Sequence, residues 1–312
     1  MAAITPSVMQ DDLASERSIR AALAGQAYAS GQVRISAPDL RGYECLAASR
    51  NGLFAVGRQG FRRIAYGFFF GLRQHGDSVF LFEACDTPNR PSRRGRLVCL
   101  TLDAGRIVAA RVIARGLDNQ CHQIAVIDSR IHVVDTANQA ICTFALDGAA
   151  IGEHRLFPAA EREDAGGVYH HINSIARVRG RMVVLLHNGT ATPRRHSELA
   201  WFDDGWQLIA REVLPGYCCH DILEDQEGVL WHCGSLDGEV LNSAGPPMRV
   251  SERMTRGLAF GRDGMIVGTS LFGPRQQRAD LAGSVIFLDA QQQRLAEVEL
   301  PGAPTDLIAL SI

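Results

Sequence analysis

Lysine is absent from this chain, and all 32 basic residues among its 312 are arginine. A protein without lysine cannot form a Schiff base through its own side chain. This excludes lysine-dependent imine chemistry and covalent attachment of pyridoxal phosphate. The eight cysteines form neither a CxxC pair nor a regular disulfide spacing, so we expect reduced thiols.

Long apolar runs and a strong net charge are also missing. No segment reaches the roughly 18 consecutive apolar residues of a membrane helix, and residues 1–10 have no signal-peptide pattern. The net charge of -2 gives no electrostatic footprint for nucleic acid or an anionic membrane. These absences predict a cytoplasmic protein whose partner is a small molecule.

The chain divides into a short extension and one domain. Apolar residues at helical spacing between Asp11 and Ala27 predict one short helix in an N-terminal extension, residues 1–31. After residue 31 the sequence consists of short apolar runs separated by Gly, Asp and Asn, which is typical of β-strands and turns. We therefore predict a single all-β domain over residues 32–312.

Three similar stretches organise that domain. They read Cys121-His122-Gln123-Ile124, His170-His171-Ile172-Asn173 and Cys219-His220-Asp221-Ile222. His122 and His171 are 49 residues apart, as are His171 and His220. A fixed period of this length is typical of a repeat architecture, so the three histidines should hold one structural position in successive units.

Each unit contains four short strands, which is the pattern of a β-propeller blade. Five complete blades can be traced, and two remnants remain, Val33–Gly60 at the front and Thr305–Ile312 at the back. A closed ring leaves no exposed sheet edge, so we predict a six-bladed β-propeller whose sixth blade is shared by the two termini. Five blades is the alternative.

Inner strands line the channel of a propeller, so His122, His171 and His220 should meet at one mouth. Three neutral imidazoles leave a divalent ion with open coordination positions, as a catalytic site requires. We predict these residues as metal ligands, with iron or copper slightly ahead of zinc. His170 is an alternative to His171, since His170-His171-Ile172 also fits the His-x-Ile pattern.

Further residues at the same phase are candidates for catalysis. Arg256 opens the next blade and would fix an anion or oxyanion beside the metal, and Tyr217, or Tyr169, would act as acid or base. Glu44 aligns on the histidine position in the front remnant. Asp306 competes with Glu44 if the C-terminal run forms the inner strand of the shared blade.

Three long loops should lie at the same mouth, because the connection from second to third strand returns there. They carry arginines whose guanidinium groups match carboxylate or phosphate, and so favour a polar or anionic substrate. These are Arg90, Arg93, Arg94, Arg194, Arg195, Arg275 and Arg278, with His196 among them.

The repeat plan resembles propellers of the NHL, gluconolactonase and strictosidine-synthase type. The histidine site is similar to that of peptidyl-hydroxyglycine amidating lyases, whose resemblance implies zinc on His122, His171 and His220 beside Arg256 and Tyr217. Carotenoid oxygenases, which hold iron with four histidines at inner-strand starts in a larger ring, are also similar in ligand type. Their resemblance implies oxygen chemistry at iron.

We therefore predict a metal-dependent oxidoreductase that oxidises a small polar or anionic molecule at a three-histidine iron or copper centre. Zinc-dependent lyase or hydrolase chemistry is the first alternative. The second is a non-catalytic or metal-free propeller that uses its channel histidines for ligand binding or acid–base work.

Overall fold

The structure is a computed structural model that describes residues 22–31, 33–86, 92–158, 169–189, 191, 193–273 and 281–311. It contains one short helix, α1 (residues 22–30), followed by a ring of six four-stranded antiparallel sheets. The prediction of a six-bladed β-propeller with a short N-terminal helix is confirmed, and the five-bladed alternative is wrong. None of the described helical segments is long and apolar enough to cross a membrane.

The first three complete blades follow one another along the chain, each running from the innermost to the outermost strand. Blade 1 consists of β4 (Phe68–His75), β5 (Ser78–Ala84), β6 (Gly95–Asp103) and β7 (Arg106–Leu117). Blade 2 consists of β8 (Ile124–Ile127), β9 (Arg130–Asp135), β10 (Ala140–Ala145) and β11 (Ala150–Arg155). Blade 3 consists of β12 (Ile172–Val178), β13 (Arg181–Leu186), β14 (Glu198–Phe202) and β15 (Leu208–Val213).

The remaining blades complete the ring. Blade 4 consists of β16 (His220–Glu224), β17 (Leu230–Gly234), β18 (Glu239–Asn242) and β19 (Met248–Arg249), with a short 3-10 helix η1 (Ser235–Asp237) after β17. Blade 5 consists of β20 (Met254–Phe260), β21 (Met265–Ser270), β22 (Gly283–Leu288) and β23 (Arg294–Leu300). Blade 6 consists of β24 (Pro304–Ala309), β1 (Cys45–Ser49), β2 (Gly52–Gly57) and β3 (Gly60–Ala65).

Blade 6 closes the ring with strands from both ends of the chain. The C-terminal strand β24 is the innermost, and it pairs antiparallel with β1, for example Ala47 with Leu307. Side chains alternate between the two faces of every strand, so each blade offers an apolar face to both neighbours. Among the described residues this gives six buried apolar clusters, one at each junction between blades. The ring is therefore held by burial at its junctions and by strand pairing within one blade.

Candidate functional site at the channel mouth

Inner strands of neighbouring blades are tied together by side chains that accept hydrogen bonds from the next backbone. The Oε1 atom of Gln123 accepts from Ile175 N–H at 3.0 Å, and Asp221 Oδ2 accepts from Gly257 N–H at 2.8 Å. The same kind of bond is made by Ser174 Oγ with Asp221 N–H (2.9 Å) and by Asp306 Oδ2 with Leu72 N–H (2.8 Å). These bonds identify equivalent inner-strand positions in different blades.

These equivalent positions show that one histidine does not hold the position in its blade that the sequence spacing predicts. His122 and His220 immediately precede two of the linking residues, Gln123 and Asp221, but the residue that precedes Ser174 is Asn173. The register shifts between Ile172 and Ser174 in β12 and between His220 and Leu223 in β16, so the even 49-residue spacing does not fix equivalent positions in these strands. Counted from the linking residues, His171 lies two positions before Asn173, the residue that corresponds to His122 and His220.

His171 nevertheless reaches the channel mouth. Its backbone is in the left-handed region at φ 53°, a conformation that non-glycine residues adopt rarely and mostly at turns or functional sites. Its ring centroid lies 5.0 Å from that of His122, in an edge-to-face arrangement. The alternative residue, His170, turns away: its ring packs against Phe157 at 4.5 Å, and its Nδ1 lies 3.3 Å from Asn188 Oδ1.

A fourth imidazole, His187, joins the three predicted ones. Its ring centroid is 4.6 Å from that of His171 and 5.0 Å from that of His220, so four rings form a row across blades 2 to 4. We call this the histidine row: His122, His171, His187 and His220. His187 is not among the residues that the sequence analysis selects, because it does not open an inner strand. One sequence feature could have identified His187, namely that it directly follows the second strand β13. There the backbone N–H of His187 donates to the carbonyl of His171 at 3.2 Å.

Hydrogen bonds fix the protonation of the two outer members of the row. The Nδ1 atom of His122 lies 2.8 Å from the carbonyl oxygen of Gln120, and that of His220 lies 2.9 Å from the carbonyl oxygen of Cys218. A carbonyl only accepts, so in both rings Nδ1 carries the proton and Nε2 carries the lone pair. Ser235 Oγ, also 2.9 Å from His220 Nδ1, further orients that ring. His122 and His220 thus present Nε2 as a base.

His187 has the opposite arrangement. The backbone N–H of Gly189 donates to its Nδ1 at 3.0 Å, so Nδ1 carries the lone pair and Nε2 carries the proton of the neutral ring. A side chain at 189 would crowd this contact, because a Cβ there would lie 2.5 Å from His187 Nδ1. The row therefore places a hydrogen-bond donor, His187, beside a base, His220.

The surroundings keep His220 uncharged at neutral pH. Burial is the main cause that lowers its pKa well below the usual range, and the positive charge of Arg256 and the neighbouring rings of His187 and His122 add to the effect. Arg256 is half-buried and also acts on the buried carboxyl of Asp221. Burial raises the pKa of that carboxyl, while the bond from Gly257 N–H and the charge of Arg256 oppose the rise.

In the shared blade, Asp306 rather than Glu44 lies on the inner strand. Glu44 precedes β1, the second strand, and its carboxylate pairs with Arg58 at 2.9 Å. Its predicted alignment with the histidine position is wrong, because β24 supplies the inner strand. Asp306 is buried there, 3.6 Å from Arg73, and burial together with the charge of Asp221 raises its pKa.

The two tyrosines are divided between the histidine row and the loop above it. Tyr169 contacts His171 with ring centroids 5.7 Å apart. Tyr217 stacks instead on His196 of the long blade 3 loop, with ring centroids 4.1 Å apart. The structure thus gives the predicted Tyr217 a loop partner and brings Tyr169 to the row.

The arginine-bearing loops are only partly described. Arg93 and Arg94 lie beside α1, where the carbonyl of Arg93 accepts a hydrogen bond from the Tyr28 hydroxyl. Arg194 is exposed and Arg195 is half-buried. Arg90, Arg275 and Arg278 lie outside the described residues.

A metal centre was predicted from His122, His171 and His220, so we asked whether their donors converge. In the parts of the chain that the structure describes, no group of three or more His, Cys, Asp or Glu side chains is arranged to hold a metal ion. The row explains this, because the His187 ring lies between those of His171 and His220, and its Nδ1 lone pair is already used by the Gly189 N–H. The donor set present here does not fit a three-histidine metal site.

Comparison with known proteins identifies the fold but no family. No family model and no curated sequence matches the chain. Among solved structures, a Bacteroides caccae protein of unknown function is 10% identical, with 87% of this chain and 100% of that chain covered and a TM-score of 0.58. A chain of a nidogen–laminin complex is 16% identical, with 86% and 99% covered and a TM-score of 0.57. A periplasmic gluconolactonase of Pseudomonas aeruginosa is 12% identical, with 86% and 99% covered and a TM-score of 0.52.

These likenesses show the fold alone, a six-bladed β-propeller. They also overturn the predicted oxidoreductase, since the named enzyme among these three structures is a lactonase. The oxidoreductase prediction is wrong.

Proposed function

We propose that this protein is a hydrolase that opens a small polar or anionic ester or lactone by acid–base catalysis at the histidine row. The observation that carries the proposal is the complementary protonation of two adjacent rings. His220 presents Nε2 as a base and His187 presents Nε2–H as a donor, with their ring centroids 5.0 Å apart. A base beside a neutral donor is what attack of water on a carbonyl needs.

The reaction would proceed in two proton transfers. His220 Nε2 takes a proton from water while the water oxygen bonds to the carbonyl carbon, and the carbonyl oxygen becomes an oxyanion that accepts from His187 Nε2–H. When the tetrahedral intermediate collapses, the C–O bond to the leaving oxygen breaks, and the His220 imidazolium returns the proton to that oxygen. The products are an acid and an alcohol, joined in one molecule if the substrate is a lactone.

Two features support these roles. The lowered pKa of His220 keeps the base form available at neutral pH, so its lone pair need not be freed first. The donor is held by the backbone, because the Gly189 N–H fixes the tautomer of His187 without adding charge. Arg256, whose charge acts on His220, is the group we assign to an anionic substituent of the substrate.

Known activity of a similar propeller agrees with this class of reaction. The Pseudomonas aeruginosa structure of the same fold is named as a gluconolactonase. Zinc-dependent hydrolysis was an alternative prediction, but the described donor set does not fit a metal, so no step here is assigned to one. The substrate is expected to be small because the reacting groups lie at a channel mouth.

Turnover of a substrate panel tests the proposal. Wild-type protein is assayed against sugar lactones and small carboxylate-bearing esters, and His220→Ala and His75→Ala are assayed on whichever substrate turns over. Loss of the base should lower kcat by at least about 100-fold, while the exposed His75 in the β4–β5 hairpin should be dispensable. Equal rates for His220→Ala and wild type would contradict the proposed base, and a panel without turnover would favour ligand binding instead.

A further inference from the structure

A large cavity lies outside the histidine row, at the junction of blades 6 and 1. Its volume is about 1330 Å³, and its walls come from α1, from residues 33–36 and from the facing parts of the two blades. The row occupies blades 2 to 4, so the cavity belongs to a different sector of the ring. Ligand sites in proteins are concave, mostly apolar, and fixed by a few polar groups.

The walls of the cavity are largely apolar. Phe68 at the start of β4 is buried, and Val33 and Ile35 are half-buried and pack against the apolar cluster at the junction of blades 6 and 1. Two large apolar side chains at the cavity remain in contact with solvent, Leu23 of α1 at 59% exposure and Tyr66 at 73%. Exposed apolar surface that borders a concave site is typical of a surface that a ligand covers.

The charge of the cavity is positive. Glu83 is the sole acid among its described lining residues, and its carboxylate is 2.7 Å from the guanidinium of Arg96, with both side chains almost fully buried. This pair is neutral. Arg34, Arg50 and Arg63 also line the cavity, so its net charge favours an anion.

Arg63 is held in place by aromatic rings. Its guanidinium carbon lies 4.5 Å from the centroid of the Tyr66 ring and 5.2 Å from that of Phe54. Stacking of this kind keeps the planar guanidinium group in a fixed orientation while its edges can still donate hydrogen bonds. A guanidinium group fixed in this way loses little freedom when it binds a planar anion.

We infer that this cavity binds an organic carboxylate with an apolar body, in which Arg63 pairs with the carboxylate and the walls from α1 and Phe68 cover the body. The planar carboxylate matches the fork of a stacked guanidinium. The apolar walls require a ligand with more than a charged head. Octanoate has both parts and is the probe.

Calorimetric titration of octanoate into the full-length protein tests the site. Wild type should bind saturably, and Arg63→Ala should bind at least about tenfold more weakly, since a charge-assisted hydrogen-bonded pair is lost. The matched control is Arg62→Ala, which removes an exposed arginine one position earlier on the opposite face of β3. Acetate lacks the body and octanol lacks the charge, so each should bind at least about tenfold more weakly than octanoate.

Several outcomes would overturn the inference. These are an absence of saturable octanoate binding, equal affinity for wild type and Arg63→Ala, and binding of octanol as tight as that of octanoate. Inorganic phosphate that binds more tightly than octanoate would replace the carboxylate site with a phosphate site. Circular dichroism checks the fold of each variant, and if Arg63→Ala does not fold, Arg50→Ala, on the blade 6 side of the cavity, takes its place in the same comparison.

Discussion

His232 makes the protein sensitive to acid, and replacing it with leucine should remove that sensitivity. The side chain lies on β17, opposite Leu241 of β18 and on the same face as Leu230, within the apolar junction between blades 3 and 4. It is buried, and among the described residues neither of its ring nitrogens has a hydrogen-bond partner. Burial lowers its pKa from 6.5 to about 4.

The size of the effect follows from that shift. Between pH 6.5 and about 4 the unfolded chain binds the proton and the folded chain does not, so the free energy of unfolding falls as the pH falls through this window. At about 1.4 kcal/mol per pKa unit the full loss is about 3 kcal/mol, and about 2 kcal/mol of it is reached at pH 5. Above pH 7.5 this contribution is complete.

Urea unfolding of wild type and His232→Leu at pH 7.5 and pH 5 measures the difference. The variant should lose about 2 kcal/mol less than wild type on acidification. At pH 7.5 it should be at least about 1 kcal/mol more stable than wild type, because an unsatisfied buried polar group is removed. His132, whose pKa is also lowered to about 4 by burial, is present in both proteins and cancels. His75→Leu, at an exposed turn, is the control, and the same acid loss in His232→Leu and wild type would refute the reasoning.

Two further predictions concern the histidine row and the cavity at the junction of blades 6 and 1. Gly189→Ala should displace the His187 ring and lower kcat on the active substrate by about 100-fold or more with the fold intact. The control Gly152→Ala, where the nearest atom to the new methyl group is 4.0 Å away, should match wild type. Unchanged kcat in Gly189→Ala would contradict the role of His187. Glu83→Gln should lower the free energy of unfolding, measured with urea, by about 3 to 5 kcal/mol, because it leaves the Arg96 charge buried without its carboxylate. A decrease below about 1 kcal/mol would show that the ion pair is not required for stability.

The ring could be predicted from the sequence because its signals are local and repeated. Short apolar runs with turns between them can be recognised without knowledge of contacts between distant residues. The requirement that the ring leave no exposed sheet edge predicted a blade shared by the termini. The strand that closes it could not be assigned in the same way. Both Glu44 and Asp306 fit the alignment, and only the pairing of β24 with β1 distinguishes them.

The candidate site was predicted in part. His122 and His220 open inner strands as expected, and their rings belong to the same row. His171 reaches the row through a left-handed backbone and a register shift, which a count of residues cannot reveal. His187 was not predicted because it follows a second strand rather than opening an inner one, although a cross-strand neighbour at the same mouth is equally close. The donor or acceptor state of each ring depends on backbone groups such as Gly189 N–H that leave no mark in the sequence.

We propose that His187 and His220 catalyse hydrolysis as an acid–base pair without a metal. It is tested most directly by kcat/KM on the active substrate before and after exhaustive dialysis against a chelator, with metal content measured on the same samples. We predict the same kcat/KM in metal-depleted and untreated protein. Loss of activity on depletion, restored by one equivalent of iron, copper or zinc, would contradict the claim and return His122, His171 and His220 to the role of metal ligands.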